Sequence, residues 1–300
     1  MKSPLSMAGV FPPIPTPFDA AGEIDLKALG RNMEFWNRYP LAGYVVLGSN
    51  GEFPYLSESE KLAFFEAVRK HIPPDRIFMA GTACESTHST IAMTKAAASL
   101  GADVAILITP SYYKSKMDAE GLTHYYLSVA DASPIPVSIY NMPLNTGVDM
   151  TPDLIISLSR HPNIAGVKDS SGNLAKMGEV IHSARPGFQV LAGSAGFLYP
   201  ALCMGAAGGV LALANIAPRQ CCDIMELFKG GKHDEARELQ LRMIASNTAV
   251  TARFGVPGLK AALDMLGQYG GNTRSPMLPL TEAQKETLRN ILKEAGILPA

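Results

Sequence analysis

From residue 43 to residue 213, short apolar runs recur at intervals of 20 to 34 residues, each followed by a stretch with helical punctuation. The runs are Gly43 to Leu47, Ile77 to Gly81, Asp103 to Ile108, Ile135 to Tyr140, Ile164 to Val167, Phe188 to Ala192 and Gly208 to Leu213. They are continuously apolar, without in-out alternation, which is the pattern of parallel strands covered on both faces. Their spacing is that of repeated strand-helix-strand units.

The intervening segments carry matching signals. Ser57 with Glu60 forms a capping box, Thr151-Pro152 places a cap before a first-turn proline, and Gly101 follows a helical pattern over Ser86 to Leu100 as a stop. An eighth apolar run, Gly9 to Thr16, precedes a helix-like stretch from Asp25 to Arg38. Eight such units predict a closed (β/α)₈ TIM barrel over residues 1–217. The remainder, 218–300, reads as a C-terminal helical extension, with a Thr281/Gln284 capping box and Leu288, Ile291 and Leu292 on one face. An open doubly wound sheet is the competing architecture, but no Gly-x-Gly-x-x-Gly turn follows either of the first two runs. Walker and Gly-x-Ser-x-Gly motifs are also missing from the chain, which removes weight from nucleotide binding and serine hydrolysis.

Composition narrows the partners. Lys and Arg number 26 against 27 Asp and Glu, for a formal net charge of −1, so the chain has no electrostatic footprint for nucleic acid or a polybasic membrane tether. The longest charge-free stretch, Pro186 to Pro218, is broken by glycines and prolines and reads as buried interior, not as a membrane span. Met1 to Gly9 lacks the apolar core of a secretory signal and the pattern of a transit peptide, so the expected location is cytoplasmic. The four cysteines, Cys84, Cys203, Cys221 and Cys222, and six scattered histidines make no zinc pattern, and the cysteines read as core thiols. No metal is expected, so the chemistry falls to ordinary side chains or to a cofactor that the residues do not reveal.

In a (β/α)₈ barrel those side chains sit at the strand C-termini. Directly after the runs come Ser49 and Asn50, Thr109 with Tyr112 and Tyr113, Tyr140, Lys168, and Gly193 with Ser194. A lysine closing a buried strand loses solvation, which lowers its pKa, and a neutral amine is a nucleophile toward carbonyl carbon. Tyr140, on the preceding strand, is placed to shuttle protons. The Gly48-Ser49-Asn50-Gly51-Glu52 loop leads toward a capped helix, where its amides and hydroxyl suit a substrate carboxylate, with Glu52 as a brace. Each residue has a plainer reading as well. Lys168 would salt-bridge Asp169 or another carboxylate, Tyr140 would be a buried strand-end tyrosine, Ser49-Asn50-Gly51 would be a simple turn, and Tyr112 and Tyr113 would be surface or subunit-contact aromatics.

Taken together, Gly48-Ser49-Asn50-Gly51-Glu52, Thr109-Pro110 with Tyr112-Tyr113, Tyr140-Asn141-Met142-Pro143 with Asn145-Thr146-Gly147, and Gly166-Val167-Lys168-Asp169-Ser170 resemble the dihydrodipicolinate synthase and N-acetylneuraminate lyase superfamily. The resemblance extends from Phe11 to the helical tail. It implies a (β/α)₈ class I aldolase that handles pyruvate without a cofactor. Lys168 would form the Schiff base with a 2-oxo acid, Tyr140 would relay protons, and Ser49 would complete the relay with Tyr112. It also implies that Tyr112, in preference to Tyr113, reaches a neighbouring subunit's site within a homotetramer built from dimers.

Within the superfamily, dihydrodipicolinate synthases typically carry two threonines in the Gly48–Glu52 loop and an arginine two residues beyond the motif proline. Here Ser49-Asn50 and Asn145 stand instead, and a neutral amide does not replace a guanidinium fork. The loop, with Ala83-Cys84-Glu85-Ser86-Thr87, Leu191 to Phe197 and Arg253 to Lys260, is similar to the 4-hydroxy-2-oxoglutarate aldolase branch. That similarity implies cleavage of 4-hydroxy-2-oxoglutarate to pyruvate and glyoxylate. The pyruvate carboxylate would meet Ser49 and Asn50, and Ser170 and Gly193 would line the other end of the site. The alternatives are dihydrodipicolinate synthesis, a 2-keto-3-deoxy sugar acid aldolase, and a non-catalytic pyruvate sensor.

Overall fold

The computed structural model describes residues 5–299. Eight parallel strands form one sheet: β1 (Gly9–Phe11), β2 (Gly43–Val46), β3 (Ile77–Gly81), β4 (Val104–Ile108), β5 (Val137–Asn141), β6 (Ile164–Asp169), β7 (Gln189–Ala192) and β8 (Gly208–Val210). The order runs from β2 through β8 to β1. Closure between β1 and β2 comes from Ala42 N to Val10 O at 3.0 Å, Val45 N to Pro12 O at 3.0 Å and Ile14 N to Val45 O at 3.0 Å. The sheet is therefore a barrel, as the spacing predicts.

Twelve α-helices accompany the strands among the described residues: α1 (Leu26–Trp36), α2 (Glu58–Arg69), α3 (Thr87–Ser99), α4 (Ala119–Ala132), α5 (Pro143–Thr146), α6 (Pro152–Ser159), α7 (Leu174–Ser183), α8 (Leu198–Cys203), α9 (Pro218–Lys229), α10 (His233–Thr248), α11 (Gly255–Met265) and α12 (Glu282–Glu294). The sequence signals mark their ends for a stated reason: each cap satisfies an amide that has no partner inside its helix. Asp25 accepts from Lys27 N and Ala28 N before α1. Ser57/Glu60 and Thr281/Gln284 form complete capping boxes on α2 and α12.

Two expectations are corrected. The runs Gly9 to Thr16 and Gly208 to Leu213 are strands only as far as Phe11 and Val210, because Pro12 and Pro13 have no N–H for a ladder and Ala212–Asn215 turns into a 3₁₀ helix. Cys203 is exposed, unlike buried Cys221 and Cys222 and half-buried Cys84, so the four cysteines are not all core thiols. Cys203 is the last residue of the short helix α8, on the turn facing solvent.

Apolar packing occupies two layers. Met7, Phe11, Val45, Met79, Val104, Ile106, Leu191 and Val210 fill the barrel interior. A larger cluster lies between the strands and the helices and continues without a break into α9–α12 through Cys221, Ile224, Met243, Leu259, Leu288 and Leu292. Each such side chain, once fully buried, contributes roughly 1.5–3 kcal/mol relative to exposure. The interior layer ends upward at Tyr140, and above it the barrel is open. No helix among the described residues is long and apolar enough to cross a membrane.

Candidate active site

A cavity of about 570 Å³ occupies the C-terminal mouth of the barrel. Ser49, Asn50, Tyr140, Lys168, Ser170 and Gly193 all line it. Strand pairing brings the central two together: β5 and β6 run in register with Tyr140 beside Lys168. The Lys168 ammonium nitrogen lies 3.6 Å from the centre of the Tyr140 ring. The Tyr140 hydroxyl is hydrogen-bonded to Ser49 Oγ at 3.2 Å.

Lys168 is 3% exposed, and no carboxylate among the described residues lies within 4 Å of its nitrogen. Its chain neighbour Asp169 does not pair with it, because successive side chains of a strand point to opposite faces. Asp169 faces the helical layer, where it accepts from Asn141 Nδ2 at 3.0 Å and Ser171 N at 2.8 Å and lies 3.4 Å from Lys176 Nζ. The salt-bridge reading of Lys168 with Asp169 is thereby excluded. Burial by itself pushes the Tyr140 hydroxyl up, but the charge on Lys168 and hydrogen bonding with Lys168, Ser49 and Ser170 outweigh it. The net effect holds Tyr140 below the usual tyrosine value.

The Ser49–Gly51 segment is a 3₁₀ turn, followed by a second turn at Phe53–Tyr55 and then by α2. Asn50 Nδ2 is buried and has no hydrogen-bond partner among the described residues. A buried amide donor left unpaired costs roughly 1–3 kcal/mol, and this one lines the cavity, so it is available to an acceptor on a ligand. At the opposite side, Gly193 N continues the strand ladder to Asp169 O at 2.7 Å. Glycine is required there: a Cβ would lie 2.0 Å from Ser170 Oγ and 2.6 Å from Asp169 O.

Tyr112 and Tyr113 stand apart from this group. They are 78% and 71% exposed and pack edge to face with ring centres 5.0 Å apart. Glu85 holds their loop by accepting from Ser111 N and Tyr112 N, both at 3.0 Å. Neither tyrosine lines the cavity of its own chain.

Sequence reasoning missed one wall. The last turn after α10 is a π-helical segment, Ala249–Arg253, and Val250, Thr251 and Ala252 from it, with Gly255 and Val256 from α11, face the cavity. π-turns of this kind widen a helix locally and recur at functional sites. The break in helical pattern at Phe254-Gly255 is the signal that would have found it. Leu144 and Asn145 complete the rim. Among the described residues, no three His, Cys, Asp or Glu side chains converge as a metal site requires.

A (β/α)₈ barrel with a buried lysine beside a hydrogen-bonded tyrosine in a cavity at its mouth has the architecture of a barrel enzyme, whose sites lie at the strand C-termini. Comparison with known proteins gives the family. Residues 6–295 match the model of the dihydrodipicolinate synthetase family, and the chain belongs to that family. It is 35% identical to a 4-hydroxy-tetrahydrodipicolinate synthase of Methanothrix thermoacetophila, with 97% of each chain covered. It is 34% identical to a probable mitochondrial 4-hydroxy-2-oxoglutarate aldolase of Emericella nidulans, over 96% of this chain and 94% of that one. Among solved structures, dihydrodipicolinate synthase of Acinetobacter baumannii complexed with pyruvate superposes with a TM-score of 0.93 at 31% identity, over 98% of this chain and all of that one. The chain is accordingly an enzyme of the carbon-carbon lyase type.

Proposed function

We propose that the enzyme is a class I aldolase that cleaves 4-hydroxy-2-oxoglutarate to pyruvate and glyoxylate through a Schiff base on Lys168. The observation that carries this reading is the buried Lys168 amine, paired with no carboxylate among the described residues and adjoining the Tyr140–Ser49 hydrogen bond. The Lys168 ammonium gives a proton to Tyr140, the resulting amine adds to C2 of the substrate, and the carbinolamine hydroxyl takes that proton back and leaves as water, which gives the protonated imine. Removal of the C4 hydroxyl proton then breaks the C3–C4 bond, releases glyoxylate and leaves its electron pair in the enamine of pyruvate. Tyr140 is the group in position to move protons in both stages. Protonation at C3 and hydrolysis return pyruvate and the free lysine. Asn50 and Ser49 would hold the C1 carboxylate, with Ser170 and Gly193 at the far end of the substrate.

Borohydride reduction in the presence of pyruvate, followed by intact mass and peptide mapping, tests this directly. The expected product is a stable pyruvyl adduct on Lys168, lost in Lys168→Ala. Steady-state pyruvate release that survives Lys168→Ala would overturn the mechanism.

A second reading, 4-hydroxy-tetrahydrodipicolinate synthase, is favoured by the identity to the Methanothrix protein. Against it stands neutral Asn145 at the cavity rim, at the position where the sequence pattern of the synthases typically has an arginine. Condensation of pyruvate with aspartate semialdehyde at a rate exceeding cleavage would select that reading. The same proposal includes a homotetramer built from dimers, in which exposed Tyr112 completes the neighbour's proton relay, and a cytoplasmic location.

A further inference from the structure

Among the described residues, the two non-glycine residues in the left-handed backbone region are Leu47, with φ of 59°, and Glu52, with φ of 55°. They bracket the turn that carries Ser49 and Asn50. Backbone held in that region persists only where its surroundings over-determine it. At the Glu52 end those surroundings come from distant parts of the chain. The Glu52 carboxylate is fully buried, with Oε1 2.6 Å from Lys260 Nζ, itself 1% exposed on α11. Its other oxygen accepts from Arg274 N at 2.8 Å. Lys260 also donates to Asn272 O at 2.7 Å. Thr16 Oγ1 donates to Gly51 O at 2.7 Å and ties the turn to the barrel on its other side.

Lys260 shares α11 with Gly255 and Val256, which line the opposite wall of the cavity. One buried ion pair thus joins the loop that faces the lysine to the helix that closes the site. We propose that Glu52 and Lys260 are positioning residues: their ion pair holds the Ser49–Asn50 turn with its carboxylate-binding groups directed at Lys168. This rests on the Schiff-base reading given above. Glu52 borders the cavity, but its carboxylate is fully buried against Lys260, and a buried pair of this kind adds little net stability over well-packed neutral residues. The gain lies in the placement of the turn.

The test is a double-variant cycle read by borohydride trapping of pyruvate. Glu52→Gln and Lys260→Met each leave one buried charge unpaired, whereas the double variant leaves none and is the form expected to fold best. The pyruvate concentration for half-maximal labelling should rise about tenfold or more in the double variant, with the limiting labelling rate changed about threefold or less because Lys168 and Tyr140 stay in register. Leu292→Ala in α12, destabilised away from the cavity, should melt earlier yet keep the wild-type half-saturation. A folded double variant whose half-saturation returns to within about twofold of wild type overturns the proposal, since the two charges would then only neutralise each other. A wild-type protein that takes no adduct overturns the Schiff-base reading instead, so the two failures are told apart.

Discussion

Lys168 and Asp169 are consecutive in the chain and face opposite sides of β6, the lysine toward the barrel mouth and the aspartate toward Lys176 at 3.4 Å. One strand residue therefore faces the cavity and the next is held in the surrounding packing. Asn141, one residue beyond Tyr140, donates to Asp169 Oδ2 at 3.0 Å and to Asp149 Oδ1 at 2.8 Å. The outer face of the two strand ends is thus locked while the inner face borders the cavity.

Replacing the two lysines of this region by methionine should have opposite effects on stability. Lys168→Met removes a buried amine that has no carboxylate partner and should stabilise the protein by about 1 kcal/mol while abolishing turnover. Lys176→Met strands buried Asp169 and should cost about 3 kcal/mol. Urea unfolding of both variants checks the pair, and equal destabilisation would refute the division of roles.

Tyr140→Phe keeps the ring against Lys168 and deletes the hydroxyl. Single-turnover kinetics should show imine formation and cleavage slowed by about 10²–10⁴-fold, the usual worth of an acid-base group. Unchanged single-turnover rates would assign the proton transfers elsewhere.

The lowered pKa of Tyr140 also sets an alkaline signature. Burial opposes ionisation, but Lys168, Ser49 and Ser170 favour it more strongly, so Tyr140 ionises below the ordinary value of about 10. Tyr44 is pushed by burial to about 12 despite Arg76. Between the folded Tyr140 value and about 10 the unfolded chain holds the extra proton, so this group adds stability as pH rises through that window. Tyrosinate absorbance should show one early-titrating tyrosine that disappears in Tyr140→Phe.

Glu60 links the α2 capping box to the C-terminal region. Its hydrogen bond with Arg274, at 2.6 Å, leads the causes that lower its pKa to about 2. A depressed carboxylate stabilises above its ordinary value, and the contribution is lost as pH falls through about 2. Because the side chain is 28% exposed and the pair is partly screened by solvent, Glu60→Gln should cost about 1 kcal/mol or less near neutrality. Thermal melts across the acid range should show wild type and variant converging as the pH approaches 2.

Asn145→Arg places a cation at the cavity rim. Condensation of pyruvate with aspartate semialdehyde should rise by about tenfold relative to the parent, the scale of a new charge-assisted contact. Parallel assays of condensation and of 4-hydroxy-2-oxoglutarate cleavage decide the matter, and unaltered condensation would remove residue 145 from aldehyde selection.

Much of the barrel was legible because its information is local. Apolar runs mark strands whose two faces are both covered, and Asp25, Ser57, Thr151 and Thr281 mark helix starts by satisfying amides within three residues of themselves. The placement of Lys168 and Tyr140 at one rim followed from counting strands, and their contact required only that β5 and β6 be neighbours. The ends of β1 and β8 were overextended because an apolar run does not reveal where ladder donors stop. The exposure of Cys203 escaped for a related reason: side-chain burial on a six-residue helix depends on what packs over it.

The sequence by itself determined the eight-unit alternation, the caps and the set of polar residues at the strand ends, since each depends on chemistry within a few residues of chain. Only the tertiary structure decided what those residues face. It turned Asp169 away from Lys168 and brought Val250 to Val256 around as a cavity wall. It also buried Lys260 against Glu52 across most of the chain's length. Such contacts join segments whose local patterns are independent of each other, so their partners are selected by the closing of the barrel and the docking of the C-terminal helices.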